Sequence, residues 1–359
     1  MQVLMTADAV GGVWTYALDL ARGLGAAGVR TTLAVLGPAP STDQVRGAHA
    51  VPGLTLIETG LPLDWMASEP AEILEVGAAL RGLARGVRAD LIHLNSPAFA
   101  AIGGFEAPVV GACHSCLATW WGDVKDGPMP PDFRWRTQAL WQGLHACDVL
   151  VAPTRAFAEA TAAAYDLPAP HVVWNGRDAP TRPEAAREDM VFTSGRLWDE
   201  GKNIGVLDAA AERLSAPIYA AGPLEGPNGA GVRLTHATSL GRLPAAEVAD
   251  WLARAPVFAS SALYEPFGLG VLEAAQAGCA LVLSDIATFR ELWEGAAVLV
   301  DPRDPGAFAA ALDALLADEP RRVELGRKAR ARAQRYSVQA MATGVHELYR
   351  HVQPELVAA

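Results

Sequence analysis

Apolar and polar positions along this chain alternate between two periods, and the alternation restarts once. Gln2 to Met5 reads as a short apolar strand, followed by the loop Asp8-Ala9-Val10-Gly11-Gly12. From Val13 to Ala27, Trp14, Ala17, Leu18, Ala21 and Leu24 recur at helical spacing, and Gly28 closes the helix. Arg30 to Leu36 is the next strand. Further strands are expected at Leu54–Glu58, Asp90–Asn95, Pro108–Cys113 and Asp148–Pro153, with helices at Ala71–Gly86, Asp132–Ala146 and Thr154–Tyr165. Strands alternating with helices predict a mostly parallel sheet covered on both faces, whose ligands sit outside the carboxyl ends of the strands.

Pro168 to Pro183, with its prolines and Trp174-Asn175-Gly176, reads as a domain boundary. The pattern then repeats. Strands are expected at Met190–Thr193, Ile218–Ala221, Leu234–Leu240 and Val257–Ala259, and helices at Ile204–Leu214 and Ala245–Arg254. Ser260 to Asp285 forms a strand end, a loop punctuated by Pro266 and Gly268, a helix over Gly270–Ala277 and an apolar strand over Ala280–Leu283. Ala297–Val300 is the last strand, and the tail from Pro305 to Arg350 is helical. The expectation is an α/β chain of two doubly wound, Rossmann-like domains. The basic run Arg321–Arg335 surrounds an apolar stripe and reads as a solvated helix face.

A length of 359 residues suits two cores rather than one. A formal net charge of −11 argues against nucleic acid as a partner and gives no sign of membrane association. No apolar run is long enough to cross a membrane and no secretory signal is visible, so a cytoplasmic location is expected. Cys113-His114-Ser115-Cys116 has the C-x-x-C spacing, but the chain lacks a second pair of ligands, and structural thiols are the preferred reading.

The candidate chemistry gathers at strand ends. The backbone amides of Phe267, Gly268, Leu269 and Gly270 open a helix N-terminus that favours an anion, between the carboxylates of Glu265 and Glu273. Arg196 and Lys202 bracket the loop after the first strand of the second sheet, where a guanidinium and an ammonium can neutralise a diphosphate. Amides for phosphate beside carboxylates for hydroxyls suit a sugar nucleotide. In the first sheet Gly11, Gly12 and His114 follow strands at the binding edge. Trp120 and Trp121, read as loop aromatics, are candidate acceptor-binding residues, whereas Trp135 and Trp141 read as core residues of the next helix.

Glu265 and Glu273 at E-x7-E spacing, Arg196 and Lys202 at R-x5-K, and Gly11-Gly12 after the first strand together resemble the retaining glycosyltransferases of family 4. The resemblance covers the second half closely and the first more loosely. It implies the GT-B fold, with two Rossmann-like domains facing each other across a cleft and a C-terminal helix crossing back to the first. The implied division is an acceptor-binding domain over 1–170, a nucleotide-sugar domain over 171–336, and the returning helix over 337–359. It also implies that Glu265, Arg196, Lys202 and His114 serve catalysis. Gly11, Gly12, Asn175, Phe267, Gly268, Leu269, Glu273 and Arg242 would hold the donor, with Glu273 on the ribose. The expected reaction moves a hexose from a UDP-sugar, or a GDP-sugar, to a hydroxyl of a saccharide or small molecule. Neither a cofactor nor a metal is expected: the chain contains no aspartate-x-aspartate, and cations with helix amides would stabilise the leaving diphosphate. A sugar-nucleotide epimerase or phosphorylase of the same fold, or a nucleotide-binding protein without turnover, are the alternatives. A dehydrogenase is disfavoured, because G-x-G-x-x-G does not follow the first strand.

Overall fold

The structure, a computed structural model, describes residues 1–179, 185–227 and 229–353; the expected junction residues 180–183 lie outside these. The chain divides into two units, Met1–Gly176 with Val338–Ala359, and Arg177–Ser337.

Among the described residues, unit 1 is built on seven strands: β1 (Gln2–Asp8), β2 (Arg30–Leu36), β3 (Leu54–Glu58), β4 (Leu91–Leu94), β5 (Val109–Ala112), β6 (Val149–Ala152) and β7 (His171–Val172). All neighbours pair in parallel, in the order β3-β2-β1-β4-β5-β6-β7. The order reverses between β1 and β4, which opens the crevice at their carboxyl ends. β1 and β2 are apolar because helices cover both faces; Val3, Leu4, Met5, Leu33 and Ala34 are fully buried. The helix Val338–Val352 belongs to this unit. Met341, Ala342, Val345, Leu348 and Tyr349 join the core formed with Trp14, Ala17 and Ala21 of helix Gly12–Gly25. The approach is close enough that a Cβ on Gly23 would lie 2.5 Å from the Cβ of Ala342, so only glycine fits there.

Among the described residues, unit 2 has six strands: β8 (Val191–Ser194), β9 (Ile218–Ala221), β10 (Thr238–Gly241), β11 (Val257–Ser260), β12 (Ala280–Ser284) and β13 (Ala297–Val300). They too are all parallel, in the order β10-β9-β8-β11-β12-β13. The switch point lies between β8 and β11, so the loops after Ser194 and Ser260 emerge side by side.

Three expectations are corrected. The strand expected over Leu234–Leu240 is only Thr238–Gly241, because residues 235–237 are held as a loop by their amides on the Asp208 carboxylate. The segment holding Trp120 and Trp121 is a helix, Leu117–Val124, rather than a loop. Its single buried residue, Thr119, leaves no apolar stripe for the sequence pattern to reveal. Trp141 is 40% exposed on helix Pro131–Ala146 and packs on His145 one turn along, at 4.2 Å between ring centres, instead of entering the core. Trp135 does pack against the core, partly buried.

Candidate functional site

In unit 2 the loops after β8 and β11 are stitched into one platform. Asn203 adopts a left-handed conformation (φ 51°), and its side-chain amide donates to the carbonyls of Ser261 at 3.0 Å and Pro302 at 2.7 Å. Ser261 returns a hydroxyl bond to the Asn203 carbonyl at 2.8 Å, and the amides of Leu263 and Tyr264 donate to the carbonyl of Gly201. Asp199 caps the short turn Glu200–Lys202 through the amide of Gly201 and takes Arg196 Nη2 at 2.8 Å. Lys202 Nζ pairs with Glu265 Oε2. A second support lies beneath: a Cβ on Gly222 would fall 1.8 Å from the carbonyl oxygen of Gly195, so the loop carrying Arg196 rests directly on backbone.

The cavity at this platform is lined by Ser194, Gly195, Lys202, Ser260, Glu265 and Gly270, among others. Helix Leu269–Gln276 begins at its edge. Gly268, its N-cap, has φ 89° and no side chain caps the helix, so the first-turn amides are not taken by a side chain. Phe267 is buried in the core and cannot reach a ligand with its ring; it contributes backbone only. Thr288 Oγ1 donates to the Glu265 carbonyl at 2.7 Å and holds the loop from below. Glu273, on the helix itself, pairs with Arg177. Arg242 follows β10, the edge strand, is exposed, and makes no side-chain hydrogen bond or ion pair among the described residues. It is not part of the Lys202–Glu265 group.

Unit 1 equips its switch point differently. Gly11 caps helix Gly12–Gly25 in extended conformation, and its amide and that of Val10 donate to Asp8 Oδ1 at 3.1 and 2.8 Å. Gly12 is exposed at the head of the helix. His114, just past β5, bonds through Nε2 to Asn95 Oδ1 at 2.7 Å. Asn95 donates its Nδ2 to the Thr6 carbonyl at 2.6 Å, which makes Oδ1 the acceptor and assigns the proton of His114 to Nε2. Nδ1 of His114 is then an acceptor. The imidazole keeps a partly exposed edge, yet burial and the neighbouring His93 lower its pKa to about 3. His93, fully buried, is lowered to about 4 by burial, and Tyr349 of the C-terminal helix meets its Nδ1 at 2.8 Å. Tyr16 lies edge-on to His114 with ring centres 4.4 Å apart, its hydroxyl pKa raised by burial. His114 is therefore a neutral hydrogen-bonding group rather than a proton donor at ordinary pH.

Trp120 and Trp121 meet edge to face at 6.3 Å; Lys125 lies over the first, and Phe133 lies beside the second at 5.6 Å. Asn175 is buried at the end of unit 1, and the next amide, Gly176, donates to Met341 Sδ at 3.2 Å; neither belongs to the unit 2 platform. Cys113 and Cys116 are buried free thiols, their pKa values pushed up by burial, and Cys116 is bonded to Thr119 Oγ1 at 2.8 Å. Among the described residues no cluster of metal-ligating side chains is present, and no helix is long and apolar enough to cross a membrane.

Asn95, Asp199, Asn203 and Arg177 belong to the two sites although no motif in the sequence marks them. The first three are short polar residues at or just beyond strand ends near a switch point, which is a usable signal. Arg177 had none, because its partner Glu273 lies 96 positions along the chain.

Comparison with known proteins agrees with this geometry. Residues 10–179 match the family model "Glycosyltransferase Family 4" and residues 188–318 the model "Glycosyl transferases group 1". A D-inositol 3-phosphate glycosyltransferase of Xylanimonas cellulosilytica is 38% identical over 104 residues, which cover 28% of this chain and only 25% of that protein. Sucrose-phosphate synthase from Thermosynechococcus elongatus superposes with a TM-score of 0.80 at 18% identity, over 100% of both chains. HepE of Anabaena, solved in complex with UDP-glucose, superposes with a TM-score of 0.74 at 19% identity, over 98% of this chain and 100% of that one. The fold is thus the two-domain α/β architecture of GT-B glycosyltransferases, and the two family models support a glycosyltransferase of the family 4 and group 1 type.

Proposed function

We propose that this protein is a retaining glycosyltransferase that moves a hexose from a nucleoside-diphosphate sugar, UDP-linked in preference to GDP-linked, to a hydroxyl of a saccharide or small molecule. One observation carries the reading: Lys202 and Arg196 stand on a cross-braced platform beside a helix N-terminus without a side-chain cap. Breaking the bond between an anomeric carbon and a diphosphate leaves negative charge on the departing oxygens. Preorganised cations and amides at that place stabilise the transition state more than the ground state. Glu265 keeps Lys202 in place and offers its other oxygen to a sugar hydroxyl. Glu273 takes the ribose. His114 of unit 1, neutral with Nδ1 as an acceptor, suits a substrate hydroxyl. No metal is needed in this reading, since Arg196 and Lys202 supply the positive charge. The departing phosphate oxygen can take the acceptor proton, so attack on the face it leaves retains configuration.

That HepE was solved with UDP-glucose favours a uridine donor. The test is incubation with UDP-glucose and GDP-mannose, with and without oligosaccharide acceptors, followed by proton NMR at the anomeric position. Consumption of one donor with an α-linked product is expected. An inverted product would overturn retention, and no turnover of either donor would overturn the transferase reading.

A further inference from the structure

Arg177 lies outside the motifs that first marked the site, yet it is fastened to the helix that carries Glu273. Its guanidinium donates through Nη1 to Oε1 of Glu273. Its carbonyl accepts from Nε2 of Gln276, three residues further along the same helix face. Its amide donates to the carbonyl of Tyr336 at 3.0 Å. The side chain and carbonyl thus fix Arg177 against the Glu273 side of helix Leu269–Gln276, and its amide ties it to Tyr336. The Arg177 and Glu273 side chains are 27% and 20% exposed, so the pair is partly withdrawn from water, and its geometry is less free than that of a surface pair. The contact is also one-pronged. Among the described residues no other group donates to the Glu273 carboxylate, which leaves Oε2 and half of Oε1 open.

We propose that Arg177 is a positioning residue for nucleotide recognition: it holds Glu273 in one rotamer, so that the open lone pairs accept the 2′- and 3′-hydroxyls of a nucleoside diphosphate. The inference rests on the reading above, in which Glu273 faces the ribose. A glutamate on a helix surface otherwise loses side-chain freedom when a ligand arrives, and a partner that has already removed that freedom lowers the cost of binding. Competition between Arg177 and the ribose is not required, because an ionised carboxylate accepts about four hydrogen bonds.

The experiment is calorimetric titration of UDP, GDP and their 2′,3′-dideoxy counterparts into the wild type, Arg177→Gln, Arg177→Lys, Glu273→Gln and the Arg177→Gln/Glu273→Gln double variant. Each protein's ratio of affinities for nucleotide and dideoxy analogue is read, which partial unfolding leaves untouched because both ligands see the same folded fraction. Arg177→Gln should weaken the ribonucleotide about tenfold and leave the dideoxy analogue unchanged. Arg177→Lys should recover most of the loss, and the double variant should be no weaker than Glu273→Gln. In a transfer assay Arg177→Gln should raise the donor KM with kcat intact. Equal losses for ribonucleotide and analogue, tighter ribonucleotide binding, or no change in Arg177→Gln would each overturn the positioning role. A wild type that discriminates the analogue through Glu273 but not through Arg177 overturns this inference alone. A wild type that binds none of the nucleotides overturns the transferase reading together with it.

Discussion

The two units share one sheet topology at their switch points and furnish those points with opposite electrostatics. In unit 2 the groups in the loops after β8 and β11 are ions held by ions, Lys202 with Glu265 and Arg196 with Asp199, and Glu273 on the helix that follows β11 is paired with Arg177. In unit 1 the groups in β4 and after β1 and β5 are mostly neutral, His114 on Asn95, His93 on Tyr349 and Tyr16 against His114, and the one carboxylate among them, Asp8 at the end of β1, is taken up by the amides of Val10 and Gly11. The same fold supports both because the switch point only supplies a place where loops meet; the side chains decide what that place does. Fixed positive charge suits a leaving group that gains negative charge. Neutral donors and acceptors suit hydroxyls, which need direction more than charge.

The largest effect should come from breaking the charged side. Lys202→Ala or Arg196→Ala should lower sugar transfer by about 10²–10³, the usual cost of losing one preorganised stabilising group. Melting curves should change little for Arg196→Ala, because Arg196 is 39% exposed, and more for Lys202→Ala, which leaves the partly buried Glu265 carboxylate without its partner, so turnover is read per folded protein. Near-normal turnover in both variants would contradict the role given to the platform.

Acid should separate the units next. His93 and His114 titrate near pH 4 and 3 in the fold and near 6.5 when unfolded. The unfolded chain therefore binds more protons between those values. The stability these residues contribute is fully present above about pH 6.5 and is lost as pH falls through about 4, a loss on the order of a few kcal/mol in unit 1. Unit 2 responds later through Asp208. Burial alone raises its pKa, but the amides of Ala237, His236 and Thr235 outweigh burial and lower it. Its contribution is present above the unfolded carboxylate pKa of 3.8 and lost only below it. Hydrogen exchange at pH 7, 5.5 and 4.5 should show unit 1 peptides losing protection first; the reverse order would break the comparison.

Gly222→Ala is a steric test of the charged platform. The new methyl would meet the Gly195 carbonyl at 1.8 Å, and the residue sits at φ 146°, so a stability cost of about 2 kcal/mol is expected from overpacking. Activity should fall further than stability alone predicts, since the displaced loop carries Arg196. The smallest effect belongs to Tyr349→Phe, which removes the hydroxyl from His93 Nδ1 and should cost about 1 kcal/mol in urea denaturation while leaving nucleotide binding unchanged.

Most of the architecture was legible in the sequence because short β-branched and apolar runs alternate with segments of helical period, separated by glycine and proline turns. Arg30–Leu36, Leu54–Glu58 and Ala245–Arg254 match residue for residue. Helix Thr42–His49 was not seen, though its Ser41–Gln44 capping box is written in the chain, and neither was Ala287–Trp293, too short to show two turns of periodicity. Of the candidate site, the strand-end loops and the Glu265–Glu273 spacing could be read locally. The pairing of Lys202 with Glu265 and of Arg177 with Glu273 could not, because which ion meets which is decided by the order of the strands, not by distance along the chain.

The most direct measurement is thermal denaturation of the wild type and Lys202→Ala with UDP and with uridine at equal concentration. If the unit 2 platform holds a diphosphate, UDP raises the wild-type Tm well above the uridine value, and Lys202→Ala loses most of that difference. Equal shifts from UDP and uridine, or an undiminished UDP shift in Lys202→Ala, would show that the paired cations do not hold the diphosphate.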